Sequence, residues 1–326
     1  MQPQLVGFGL VNHDTVACAS GIELDAKVRA THLFEQVGGP VPVALQCAAR
    51  LGGIRATQLG VVGLDSLGDD LARRLESFGV VPHFQRTAPS TSRSLVLLDT
   101  KRGTRIVANH AEELPPFRLD AEALEVLRAA DLLHLDGRDA AGSLLAARAV
   151  KGAGGKVSLD LGTMRAGVEE LLPLCDVILA SRKGGAGAFP ALAGDPLAQV
   201  REFLKRGAFV AGVTLGADGL ALGWRGGPEP MFLPSLPADE VGNTRKGGAG
   251  GGMLDTCGAG DAFHGAFCHA YLSGASPLEA ADFAQALVCV RIGRMGNEAG
   301  LPTLDEIPRR AGPGTTAFRS ESAPAR

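Results

Sequence analysis

The chain has 326 residues, 45% hydrophobic and 21% charged, the make-up of a folded globular protein with a sizeable core. A formal net charge of −3 and only 5% aromatic residues argue against a nucleic-acid binder, which needs phosphate neutralisation and base-stacking surfaces. The 45 glycines follow no fixed period, which excludes a collagen-like chain and points to loops that approach a ligand closely.

The opening MQPQLVGFGLVNHD has neither the basic run nor the apolar core of a secretory leader, and no apolar stretch is long enough to cross a bilayer. A strand is predicted over residues 5–10, and residues 28–37 alternate as a second strand. A helix over 43–51, a strand over 56–62 and a helix over 67–78 follow. Residues 92–99 and 104–109 read as a β-hairpin around a Gly-containing turn. Beyond it come a helix at 121–129, a strand at 132–135, a helix at 143–151, strands at 156–161 and 177–180, a helix at 196–206 and a strand at 209–215. Strand and helix in repetition predict a parallel sheet with helices on both faces. The β-only pieces, at about 13–37 and 91–110, predict a small accessory sheet, either a lid or a decoration.

Residues 242–252 (GNTRKGGAGGG) carry almost no apolar side chain and are expected to be mobile. The segment 311–326 is rich in Pro, Ser, Thr and Ala and is expected to be a disordered tail behind one domain over 1–310. Six scattered cysteines (Cys18, Cys47, Cys175, Cys257, Cys268, Cys289) form no CxxC pair, so a reduced, cytoplasmic protein with free thiols is expected.

The chemistry concentrates in Asp255-Thr256-Cys257-Gly258-Ala259-Gly260-Asp261-Ala262-Phe263-His264-Gly265, a small-residue turn leading into a helix that runs to about residue 272. Backbone N–H groups converging at a helix N-terminus make an anion hole for a phosphoryl group. Asp261, in the first helical turn, can take a proton from an attacking hydroxyl or simply cap the helix. Competing motifs are weaker: Gly7-Phe8-Gly9 lacks the third glycine of a dinucleotide fingerprint, and no GxxxxGK[ST] occurs. Cys257, His264, Cys268 and His269 suggest zinc, but their spacing serves helix packing equally well.

DTCGAGDAFHG resembles the signature of the ribokinase-like (PfkB-type) carbohydrate kinases, and further landmarks follow in family order. They are Gly38-Gly39 with the helix ending Ala49-Arg50-Leu51-Gly52, then Gly60-Val61-Val62-Gly63-Leu64-Asp65-Ser66-Leu67-Gly68 with Gly79-Val80, Thr214-Leu215-Gly216-Ala217-Asp218-Gly219, and Gly300-Leu301-Pro302-Thr303. The resemblance implies a three-layer α/β/α domain with a β lid, and an ATP-dependent kinase acting on a hydroxymethyl group of a sugar or sugar-like molecule. It implies Asp261 as catalytic base and Gly258, Ala259 and Gly260 as anion hole. It places Asp14, Gly38, Gly39, Arg105 and Asp136 at the substrate, and Ser181, Thr214, Gly216, Gly219 and Gln285 at ATP.

Two departures stand out. Val43 replaces the asparagine expected at the sugar, and Ser181-Arg182-Lys183-Gly184 replaces the NxxE pattern near the metal-bound phosphates, leaving Asp255 as the candidate beside Mg²⁺. The resemblance further implies a possible monovalent cation such as K⁺ near Cys257, and a homodimer through the lid. His134-Leu135-Asp136-Gly137-Arg138 with Asp160, Arg165 and Ser181 is more similar to ketohexokinase-type enzymes than to ribokinase. A nucleoside kinase, or a catalytically silent homologue, are the alternative readings.

Overall fold

The computed structural model describes residues 2–87, 90–110, 115–236 and 255–308. The glycine-rich segment 242–252 and the tail 311–326 lie outside them.

Strand β1 (Gln4–Phe8) passes within four residues into β2 (Asn12–Ala19), which leaves the first sheet and pairs antiparallel with β3 (His32–Gly38). Gly39 then turns the chain into helix α1 (Pro40–Leu51) with φ of 99°, and a Cβ there would lie 2.1 Å from the Leu10 carbonyl oxygen. Only glycine meets both demands. Strand β4 (Arg55–Gly63), helix α2 (Ser66–Ser77) and strand β5 (Val80–Thr87) form a right-hand edge of the main sheet, with Asp65 capping α2 through the Gly68 N–H. The hairpin β6 (Arg93–Asp99) and β7 (Thr104–His110) returns to the small sheet.

From there the chain alternates: α3 (Ala121–Arg128), β8 (Leu132–Leu135), α4 (Ala140–Gly152), β9 (Lys156–Leu161), β10 (Val177–Ser181), α5 (Arg182–Ala188), α6 (Pro196–Lys205) and β11 (Val210–Thr214). Two antiparallel strands, β12 (Leu220–Trp224) and β13 (Met231–Leu233), finish the sheet, and helices α7 (Ala259–Leu272) and α8 (Pro277–Arg291) close the fold.

The main sheet has nine strands in the order β13-β12-β11-β10-β9-β8-β1-β4-β5, and the small sheet has four, β3-β2-β6-β7. Strands β8 to β11 are enclosed almost throughout, as near-continuous apolar runs covered on both faces must be. Leu127, Ala146, Val150, Val200 and Phe203 from α3, α4 and α6 pack one face. Cys47, Leu51, Phe263, Phe267, Ala284 and Leu287 from α1, α7 and α8 pack the other. Among the described residues no helix is long and apolar enough to cross a membrane.

The alternation of elements matches the sequence reading, with differences that have physical causes. The second predicted strand begins at His32 rather than residue 28, because Lys27, Val28 and Arg29 are exposed and face no partner strand. Helix α5, RKGGAGA, carries three glycines and is not expected from the sequence; it forms because Ser181 caps it and Gly184, Gly185 and Gly187 allow close packing on Leu161, Gln199 and Met164. Strand β5 lies at one sheet edge, where exposure mixes polar residues into the pattern, and β13, at the other, is only three residues long.

Candidate active site

Because β8, β9, β10 and β11 run parallel, their carboxyl ends fall along one edge of the sheet, where ligands of open α/β sheets bind. Asp136 follows β8, Asp160 lies near the end of β9, and Ser181 and Thr214 end β10 and β11. The small sheet lies against the same edge: its buried Val16, Cys18, Val96 and Leu98 pack on Cys257 and Met295, and Arg105 of β7 donates to Thr256 Oγ1 at 3.0 Å.

Helix α7 begins in this crevice. Gly258 takes φ of 74°, where a Cβ would lie 2.1 Å from Asn297 Oδ1, and no side chain caps the helix. The Ala259 N–H reaches back to Thr256 O at 3.3 Å and that of Ala262 to Gly258 O at 2.9 Å. The N–H groups of Gly258, Gly260 and Asp261 meet no acceptor among the described residues, whereas that of Ala259 is engaged.

Asp261 stands in that first turn. Its carboxyl is pushed up to about 7, first by burial and then by the charges of Asp160 and Asp14, with Arg105 and Arg291 opposing. Asp160 is likewise pushed up to about 7, by burial and then by Asp136, with Arg165 and Arg138 opposing. The link is geometric: Asp261 and His264 share a face of α7, and His264 Nε2 lies 3.3 Å from Asp160 Oδ1. Burial drives His264 down to about 3, so it is a neutral imidazole. Asp160, noted in the sequence only within the ketohexokinase-type resemblance, is not among the expected site residues, although an acidic residue near the end of an apolar strand also marks it.

Asp14 lies in the middle of β2, not in a turn, and burial raises its pKa. Its Oδ1 accepts from Asn12 Nδ2 at 2.5 Å, and the same amide donates to Ser94 Oγ at 2.7 Å. Gly38 makes room for it, since a Cβ there would lie 2.3 Å from the carboxylate. Asp136 is held otherwise: Oδ2 accepts from Leu10 N and Oδ1 from Arg138 N, both at 2.9 Å, so both oxygens cap backbone at the end of β8. Val43 has no exposed surface in α1 and offers only methyl groups where an amide is expected.

At the ends of β10 and β11, Ser181 Oγ accepts from Gly184 N at 3.0 Å and donates to Gly162 O at 2.8 Å, so its hydroxyl is engaged in capping α5. A Cβ at Gly184 would lie 1.7 Å from Leu161 O, so no side chain, acidic or otherwise, fits where the NxxE glutamate would stand. Thr214 Oγ1 donates to Ala180 O at 3.3 Å. Gly216 and Gly219 bend the following turn with φ of 65° and 102°. Gln285 is half-buried on α8.

Asp255 is not free for a metal ion. Its Oδ1 accepts from Cys257 N at 2.8 Å, and its Oδ2 accepts from Gly296 N at 2.9 Å and pairs with Arg291 at 3.4 Å. The zinc reading is also corrected. His269 Nε2 is bound to Gly52 O at 2.8 Å while Cys268 faces His134 and Ser158. Among the described residues, metal-type ligands converge only at His13, Glu35 and Asp70, and there Asp70 is taken by Arg73 and Arg74.

The fold and site thus define an α/β protein with a small second sheet against the carboxyl ends of its parallel strands, where buried carboxylates gather near a helix N-terminus. The pfkB family carbohydrate kinase pattern matches residues 2–304, and the chain belongs to that family. It is 25% identical over 262 residues to a ribokinase from Lactococcus lactis, covering 79% of this chain and 80% of that protein. It is 37% identical over 123 residues to bifunctional protein HldE from Azotobacter vinelandii, a match spanning 37% of this chain and a quarter of that protein's length. Its fold is similar to that of an Arabidopsis thaliana ribokinase complexed with ribose and ATP, with a TM-score of 0.75, 24% identity, and coverage of 94% of this chain and 98% of that one.

Proposed function

We propose that this kinase transfers the γ-phosphoryl group of ATP to a hydroxymethyl group of a small sugar or sugar-like molecule. The observation that carries the reading is Asp261 at the start of α7, its carboxyl pushed up to about 7 beside the unpaired N–H groups of Gly258 and Gly260. A carboxylate poised near neutrality is suited to accept the proton of the attacking hydroxyl, and the adjacent N–H groups are suited to the charge of the phosphoryl group in flight.

Asp14, with the space that Gly38 leaves for it, serves as the hydroxyl acceptor that orients the sugar. Arg105 ties the lid to Thr256 and, with Gly39, borders the substrate. Asp160 acts on Asp261 by its charge, and Asp136 holds Leu10 and Arg138 in place. ATP would lie along the ends of β10 and β11, with Thr214, Gly216 and Gly219 at the base and ribose and with its phosphates toward α7. Mg²⁺ would arrive on those phosphates: Gly184 has no side chain and Asp255 is bound to Arg291, so neither offers it a carboxylate. A homodimer through the lid belongs to the same proposal. Leu33, Leu95, Ile106 and Val107 are exposed on the small sheet, and sedimentation velocity will show a dimer if they are covered by a second copy.

The test is ADP release from Mg-ATP against ketohexoses, aldopentoses, keto-deoxy acids, sugar phosphates and nucleosides, with Asp261→Asn in parallel. Turnover on one class that disappears in the variant supports the reading and selects the substrate; turnover on nucleosides alone replaces the sugar by a nucleoside. ATP binding with no turnover on any class refutes it in favour of a silent binding protein.

A further inference from the structure

Arg291, the last residue of α8, is the largest fully buried side chain among the described residues. Placing a guanidinium out of reach of water is costly unless its donors and its charge are met. Here five oxygen contacts meet the charge and the two Nη groups, while Nε has no partner among the described residues. Nη1 donates to the carbonyl oxygens of Arg294 at 3.0 Å and Asp255 at 3.3 Å. Nη2 donates to the carbonyl oxygen of Cys257 at 2.7 Å and to Asn297 Oδ1 at 3.1 Å, and lies 3.4 Å from Asp255 Oδ2.

These oxygens come from two segments only, the turn that enters α7 and the loop that leaves α8. Both are shaped around the guanidinium. A Cβ at Gly300 would lie 3.2 Å from Arg291 Cδ and Nε, and a Cβ at Gly258 would lie 2.1 Å from the Asn297 oxygen that Arg291 holds. Asn297 in turn donates from its backbone N to Gln36 Oε1 at 2.7 Å and from Nδ2 to Val37 O at 3.4 Å, so the same cluster reaches the root of the lid.

Backbone carbonyls with one carboxylate around a single positive charge are also the donor set of a hard monovalent cation. The likeness to ribokinase-type enzymes implies such a cation near Cys257, and the residues here do not fit one. The Cys257 carbonyl and the Asp255 carboxylate already face a guanidinium, and a second cation among the same oxygens would meet a fixed like charge within a few ångströms.

We propose that Arg291 is a built-in cation that holds the turn from Asp255 to Gly258 in its anion-hole conformation, so that this kinase works without a monovalent metal ion. The proposal rests on the kinase reading above. Arg291 touches neither substrate nor nucleotide and is a positioning residue. By fixing the Cys257 carbonyl it fixes the peptide that leads to Gly258, and with it the direction of the unpaired N–H groups at the head of α7. Lysine cannot replace it, because one ammonium has three donors and no planar fork to bridge the two segments.

The first experiment uses the unaltered protein: turnover with K⁺ and Na⁺ replaced by tetramethylammonium at constant ionic strength. The expected rate is within about twofold of that in K⁺, and activation by K⁺ of more than about tenfold in kcat/KM overturns the proposal. The second does not depend on turnover: crystals grown with thallium(I) are expected to show no anomalous peak in contact with Asp255 or Cys257, and a peak there overturns it. If no substrate is phosphorylated at all, the kinase reading fails and the thallium experiment alone decides the cage. The third is Arg291→Ala, expected to lose about a hundredfold in kcat with little change in KM and to regain activity with millimolar guanidinium. Loss that neither guanidinium nor K⁺ reverses, in protein with native near-UV circular dichroism, overturns the positioning role; if the variant does not fold, the first two experiments decide.

Discussion

Asp261→Asn is expected to make the protein nearly inactive and, at neutral to alkaline pH, more stable. The carboxyl of Asp261 has a pKa of 3.8 in an ordinary setting and about 7 in the folded protein, raised first by burial. The folded state therefore holds this proton across that interval while the unfolded chain releases it. Stability from this group is fully present below 3.8 and is lost as pH rises through about 7. A rise of this size corresponds to at most about 4 kcal/mol of disfavoured ionisation. Asp160 shares part of the repulsion, and asparagine still needs hydrogen bonds in the same place, so the expected gain is about 1–2 kcal/mol. Urea denaturation followed by circular dichroism, at about pH 5 and about pH 8, reads the gap between variant and wild type, which should widen with pH. Turnover should fall ~10²–10⁴-fold, the usual worth of general-base assistance. A variant that is less stable at about pH 8, a gap that does not change with pH, or turnover within about tenfold of wild type refutes the reasoning.

Asp160→Asn removes a like charge beside Asp261, so the acid limb of kcat/KM, expected near 7 in the wild type, should move to lower pH; an unmoved limb would separate the two carboxylates. Gly184→Ala places a Cβ 1.7 Å from the Leu161 carbonyl oxygen and should cost about 2–3 kcal/mol in denaturant unfolding. A stable Gly184→Glu variant with raised Mg-ATP affinity would show that the glutamate of the NxxE pattern had been lost without a packing cause. The cation independence assigned to Arg291 and the lid-mediated dimer carry their own tests above.

The order of strands and helices, the accessory sheet and the turn around Asp261 were legible in the chain because they are local. Period-two and helical patterns are written over a few residues, and GAGD followed by an apolar helix places small residues and a carboxylate at a helix start whatever surrounds it. What Asp136 does was not legible, since its decisive partner is the Leu10 N–H, 126 positions away. Asp160 owes its raised pKa to burial and then to the β8–β9 register that sets it beside Asp136, both made by the packed sheet. Gly184 stands in the sequence where a glutamate is expected, and only in the fold does the Leu161 carbonyl fill the space a side chain would need. Nothing local in the sequence marks Arg291. Its burial and its five oxygen contacts exist only where two segments, some forty residues apart at their farthest, close around it. The sequence alone determined which residues could carry charge, bend the backbone or face a core. The tertiary structure decided which charges meet, because pKa, burial and hydrogen-bond satisfaction depend on distances that no local pattern encodes.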